Sequence, residues 1–303
     1  MRTWILLSIL LFARASVATP NAIVHAATAD LLLDLDAKIY FRDQTDSCKT
    51  LVLGGACDSE PYGSFHTESK KEGDLIYSKG TFSGPEGVQL TEETWDRDGH
   101  IMRAQVENKA LKKNYELEVK KGRVYYKTTE LETGKITTAD DEAEDNLVVP
   151  ATFIPYLRNY AHELLDGKEV RIKVVVLDRK DSYTFNVKKV RDEKGVDGQP
   201  IAVFTITPNS FFIKALIDPL YLYIKPANFE LLAFEGRSPL HKKVGDDYKE
   251  FESRTIYYYH KNLFKVPAAA VADNCANDTQ KIGEAKCVIP TDATPATSST
   301  KSE

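Results

Sequence analysis

The chain contains no GxSxG, HExxH, GxxxxGK[ST] or GxGxxG. The spacings that serve a serine hydrolase, a zinc protease, a phosphate-cradling loop or a dinucleotide fold are therefore missing. Its six histidines, His25, His66, His100, His162, His241 and His260, stand singly, without a second at ligand spacing. No metal and no cofactor is expected. Acidic residues are plentiful, but a glycosidase pair is defined by the distance between two carboxylates in space, which their order along the chain does not give. There is no basic excess either: the formal net charge is −5. A nucleic-acid partner, whose phosphates demand a clustered basic face, is not expected.

Long apolar runs are as scarce. The one at the start follows a secretory pattern, with Arg2 as the charge, Trp4 to Phe12 as the apolar stretch and Ser16-Val17-Ala18 as a small-x-small cleavage site before Thr19. Residues 1–18 read as a signal peptide; a second cleavage point near Ala26 or Ala27 and an uncleaved anchor ending at Arg14 are the alternatives. Nothing later reaches the roughly 20 apolar residues a membrane-crossing helix needs, so no transmembrane segment is expected after cleavage, and the location implied is periplasmic or secreted. The four cysteines fall into two local pairs, Cys48 with Cys57 and Cys275 with Cys287. Export favours oxidation, and two short disulfide loops are the simplest pairing, each removing about 3 kcal/mol of loop entropy from the unfolded chain by the chain-entropy account. The crossed pairings stay open. Neither pair has the CxxC spacing of a zinc site.

What the sequence does have is alternation. After an irregular stretch from Asp43 to Gly63, short strands with turn signals between them run from Asp74 to Thr138, Asp98-Gly99 and Lys121-Gly122 marking tight hairpins. Asp30 to Leu35 reads as a helical turn or the lead into a strand, and Lys38 to Phe41 as a strand. The acidic run Asp140 to Asp145 lacks calcium-loop spacing and reads as a solvated approach to a helix. That helix is predicted over 153–165, capped by Thr152 and ended by Gly167. Phe153, Ile154, Leu157, Ala161, Leu164 and Leu165 form its apolar face, with Arg158, Asn159 and Glu163 on the polar one. Further strands follow at Val170 to Leu177, Tyr183 to Val187 and Ile201 to Thr207. A short helix over 210–216, stopped by Pro219, leads into a hairpin of Leu220 to Lys225 and Phe229 to Glu235, and Phe251 to Tyr259 closes the series.

The fold class implied is α+β: one large, curved, mainly antiparallel sheet, a half-open barrel, with one medium and one short helix on its concave face. Residues 19–265 form a single β-rich domain, 266–289 a disulfide-stapled extension and 290–303 a disordered tail rich in Thr, Ser, Pro and Ala. Such a sheet has more dry face than one good helix covers, so either it curls on itself or something else fills the gap. Aromatics crowd the C-terminal strands. Phe211, Phe212, Leu216, Tyr221, Tyr223 and Phe234 are the candidate wall for an apolar ligand. Alternation sets Tyr221 and Tyr223 opposite Leu220, Leu222 and Ile224, so one set packs and the other is free, unless both are buried.

Leu164-Leu165-Asp166-Gly167, Asp178-Arg179 and Leu231-Leu232-Ala233-Phe234-Glu235-Gly236-Arg237-Ser238 carry a resemblance to a family of exported bacterial β-rich proteins of unknown function. In that pattern a helix with an aromatic start ends in L-x-x-G, a strand finishes near an Arg, and a hairpin closes in L-x-x-F/Y-E-G-x-S. The element order also resembles periplasmic lipoprotein carriers, whose curved sheet wraps an apolar cavity. The resemblance implies no catalytic residues. The leading expectation is a non-enzymatic protein that binds an apolar or amphipathic envelope component, a lipid or lipidated molecule. An interaction module that offers a sheet edge or aromatic face to another envelope protein is the alternative, and a hydrolase without a recognisable motif comes last.

Overall fold

The computed structural model describes residues 30–43, 50–210 and 219–264. The expectations for residues 1–18, for Cys48, Cys275 and Cys287, for the 210–216 helix and for the C-terminal extension and tail lie outside those residues. Cys57 is half-buried against the residues around Leu53 and Tyr221.

The first described strand lies inside the sheet, not at its edge. β1 (Asp30–Phe41) is followed by a single 3-10 turn at Leu51–Leu53. Then come β2 (Gly63–Glu72), β3 (Leu75–Gly84), β4 (Gly87–Asp96), β5 (Ile101–Asn108), β6 (Lys113–Lys120), β7 (Arg123–Glu130) and β8 (Ile136–Glu142), each paired antiparallel with the one before it. The chain then crosses to the far edge through β9 (Leu147–Val148), α1 (Pro150–Arg158) and α2 (Ala161–Leu165). It returns as β10 (Glu169–Val176), β11 (Asp181–Lys194), β12 (Pro200–Pro208), β13 (Leu220–Lys225) and β14 (Glu230–Arg237). A separate small hairpin, β15 (Lys242–Val244) and β16 (Asp247–Lys249), precedes β17 (Glu252–Asn262), which inserts between β14 and β1. The result is a 15-stranded sheet in the order β8 to β1, β17, β14 to β9. Its one parallel pair is β9 with β10.

The sheet is curved and not closed, as expected of a half-open barrel. Its two edges nonetheless meet through side chains. Lys173 on β10 places Nζ 2.9 Å from Glu144 and 3.4 Å from Asp141, and Val175 packs with Leu147, Leu117, Val124 and Tyr126. The acidic run is not wholly a solvated approach to the helix: Asp140 to Glu142 belong to β8. An edge strand accommodates charge because its outer face is wet, Arg123 pairs with Asp140 across the ladder, and Asp141 faces inward to Lys173.

Two further expectations change. β2 was not legible as a strand, because Thr67 and Ser69 occupy positions where a core residue would signal one. The 153–165 helix is split at Asn159 and Tyr160. Asn159 Nδ2 donates to the Asp98 carbonyl at 2.7 Å, tying the end of α1 to the β4–β5 turn. Gly99 in that turn has φ +84°, and a Cβ there would stand 2.6 Å from Tyr156 N; only glycine permits both the turn and this approach. Thr152 is not the cap residue but sits in the first turn, its Oγ1 accepting from Val149 N at 3.0 Å. α2 ends as expected at Gly167, φ +83°, with Gly167 N bonded to Leu164 O and Lys168 N to Glu163 O, a Schellman closure.

Candidate binding face of the curled sheet

The register of the β13–β14 hairpin decides which candidate residues share a wall. Leu222 stands opposite Phe234, whereas Tyr221 opposes Glu235 and Tyr223 opposes Ala233. Phe234 therefore lies on the concave face with Leu220, Leu222 and Ile224, and Tyr221 and Tyr223 lie on the convex one. The convex pair is covered. Tyr223 is 4% exposed and packs with Tyr40, Val203, Leu51 and Val52 beneath the 3-10 turn. Its hydroxyl donates to Glu235 at 3.3 Å, Glu235 pairs with Arg254 at 2.5 Å, and burial followed by the Glu235 charge pushes the phenol up to about 12. Tyr221 lies at the edge of the same cluster, with the Arg191 guanidinium 5.7 Å from its ring. Both faces of the hairpin are thus packed, and among the described candidates Tyr221 and Tyr223 do not share a wall with Phe234. Phe211, Phe212 and Leu216 lie outside the described residues.

The concave face carries two environments. From β10 to β14 it is apolar. Ile172, Val187, Phe204, Leu222 and Ile224 are buried beneath Leu157 and Leu164 of the helices. The cover over this face is uneven. Phe234 and Leu220 are half-buried, the Phe234 ring lying across Gly236 where a Cβ would meet it at 2.5 Å. Tyr257, on the same face of β17, has its phenol pushed up by burial alone; its side chain is half-buried against the apolar cluster, and its hydroxyl has no hydrogen-bond partner among the described residues. Tyr259 donates to Leu231 O at 3.0 Å. Its phenol is also raised, by burial first and then by the Glu230 charge.

Arg158 belongs to this region, contrary to its expected place on the wet side of the helix. It is 5% exposed, its Cζ lies 5.1 Å from the Phe264 ring, and burial holds the guanidinium below its ordinary value against the opposing influence of Tyr259 and Glu230. The spacing held a signal for this: Arg158 follows Ile154 by four residues and so borders the apolar stripe.

From β2 to β4 the concave face is polar and tightly filled. Ser69 and Thr67 each place a hydroxyl 3.2 Å from Ser78 Oγ, and Thr67 donates to Lys79 O at 3.0 Å. A Cβ on Gly80 would stand 2.5 Å from Thr91 Oγ1 and 2.8 Å from the Phe65 ring. Glu93, 5% exposed, sits among these residues with Oε2 unpartnered. Burial, opposed by a Thr91 hydrogen bond and reinforced by the Glu92 charge, pushes its carboxyl up to about 8. Burial therefore favours its neutral form at pH 7, and sequence reading did not single it out.

Two histidine clusters emerge that spacing could not show. On the convex face, His66 Nδ1 and His260 Nε2 converge on Asp36 at 2.9 and 2.8 Å, His260 being the residue left without a cross-strand partner at the register shift between Asp34 and Leu35. In the β4–β5 turn, Asp96, Asp98 and His100 each bring one ligand atom within 4.8 Å of the others. Asp96 is already engaged by the turn itself, accepting from Asp98 N, His100 N and His100 Nδ1 at 2.9 to 3.0 Å. Among the described residues no helix is long and apolar enough to cross a membrane.

No family model, curated protein or solved structure matches this chain.

Proposed function

We propose that the chain is an exported, non-enzymatic binding protein for an apolar or amphipathic component of the bacterial envelope, held on the concave face where β13, β14 and β17 meet. The observation that carries this reading is the incomplete cover over Phe234, Leu220 and Tyr257: large side chains inside a curled sheet, beside two helices, that neighbouring packing leaves half-buried. Apolar surface in such a place gains free energy from a ligand that removes it from water, about 25 cal/mol per Å², and a concave, mostly apolar lining with a few polar groups is what small-molecule sites have in common. The secretory pattern at the N-terminus supports delivery to the periplasm or beyond.

A fluorescent fatty acid titrated into the protein tests the reading. Binding that weakens at least tenfold in Phe234→Ala, while that variant keeps a cooperative thermal transition, is the expected result. Absence of binding by the wild type removes the carrier reading, and a contact surface for another envelope protein then takes its place.

A further inference from the structure

The last turn of α1 sets Arg158 where an arginine is hard to accommodate. A guanidinium has five N–H donors and stays charged at any pH a folded protein survives. Here Nε is shut off from solvent without a partner, and among the described residues the group makes no hydrogen bond and no ion pair. A buried charge left in this state is strongly unfavourable unless something compensates it. The compensation in view is partial. The Phe264 ring supplies a cation–π contact, and the C-terminal end of α1 a fraction of a negative charge. Glu230 is the nearest acidic influence, but its carboxylate lies outside ion-pair reach and accepts from Asn228 and Asn262 at 3.4 and 3.0 Å.

What lies beside Arg158 points to what completes it. Tyr257 packs against the buried cluster that contains Leu157, the residue before Arg158, and Tyr259 lies two positions on along the same face of β17 with both groups in its electrostatic surroundings; the unpartnered guanidinium and the unpartnered Tyr257 hydroxyl therefore share one end of the concave face. Both are donors. A carboxylate or phosphate oxygen satisfies both, and for Arg the match is bidentate. Resting on the binding function proposed above, we infer that Arg158 is the head-group site: it takes the oxyanion of an acidic amphipath, with Tyr257 as second donor, while the apolar part of the ligand lies along Phe234 and Leu220.

The test uses the mature chain with cis-parinaric acid, its methyl ester and inorganic phosphate as probes, in wild type, Arg158→Met and Arg158→Lys. The acid is expected to bind the wild type at least tenfold more tightly than the ester. Arg158→Met should abolish that preference while leaving ester binding unchanged, Arg158→Lys should keep part of it, and millimolar phosphate should not displace the acid. Arg158→Met should melt no lower than wild type, because it removes an uncompensated buried charge. If acid and ester bind the wild type equally, the head-group assignment is wrong and the apolar site stands. Displacement of the acid by phosphate reassigns Arg158 to a free oxyanion and overturns the amphipath. If neither acid nor ester binds, the underlying carrier reading fails with it. Should Arg158→Met not fold, the wild-type acid-to-ester ratio and Arg158→Lys decide the matter.

Discussion

Between β10 and β14 the inner face of the sheet is built from Ile172, Val187, Phe204, Leu222 and Ile224 and is roofed by α1 and α2. Between β2 and β4 the same face carries Thr67, Ser69, Ser78, Thr91 and Glu93, all buried. One wing buries its interior by removing apolar surface from water; the other does so by satisfying hydroxyls against one another, which gives little net stability per bond but makes each partner costly to remove. At the seam between the wings, on β14 and β17, Phe234 and Tyr257 are half-buried and Arg158 is unpaired among the described residues. The ligand site proposed above lies at that seam.

The contrast is sharpest under truncation. Phe204→Ala, at 0% exposure in the apolar wing, should cost about 3–5 kcal/mol through lost transfer energy and the cavity left behind. Ser78→Ala in the polar wing should cost about 1–3 kcal/mol by stranding Thr67 and Ser69. Urea unfolding of the two variants measures both, and equal costs would erase the distinction between the wings.

Glu93 gives the polar wing a pH signature that the apolar wing lacks. Its folded carboxyl titrates at about 8 against the usual 4.5, so between those values the folded state holds a proton that the unfolded state has released. Stability from this group is complete below 4.5, falls as pH rises through the window and levels off above 8. The total is on the order of 4–5 kcal/mol if the whole shift is expressed. Glu93→Gln should flatten that slope relative to wild type, which chemical denaturation at pH 5, 7 and 9 would show.

The smallest effect belongs to the convex face. His260 is held above its ordinary value by its hydrogen bond to Asp36, so its contribution is present when the ring is protonated and is lost as pH rises through the folded value. Asp36→Asn should return the His260 titration, followed by NMR, toward the usual 6.5 with little change in melting temperature.

Alternation and turn chemistry were enough to read most of the strands and the curved antiparallel architecture, because period-two patterning and pairs such as Lys121-Gly122, both at positive φ, act locally. What escaped depended on contacts across the sheet. β2 hid because its buried positions are hydroxyl residues whose partners sit on β3. Asp140 to Glu142 read as a loop because charge on an edge strand is indistinguishable, in one dimension, from charge on a solvated segment. The helix break at Asn159 is fixed by the carbonyl of Asp98, 61 positions away. At the site, periodicity separated Tyr221 and Tyr223 from Leu222 and Ile224 but held no information on which face was concave. Arg158 looked polar and proved buried, because burial is decided by what β17 brings against the helix.

The seam is proposed to hold a small amphipath. Native mass spectrometry of the protein purified from its own host, without detergent or organic extraction, tests that most directly. The expected species is heavier than the polypeptide by the mass of a small amphipath, which organic solvent removes and which Arg158→Met carries at lower occupancy. The bare polypeptide, or an added mass that proves to be a second protein, would contradict it.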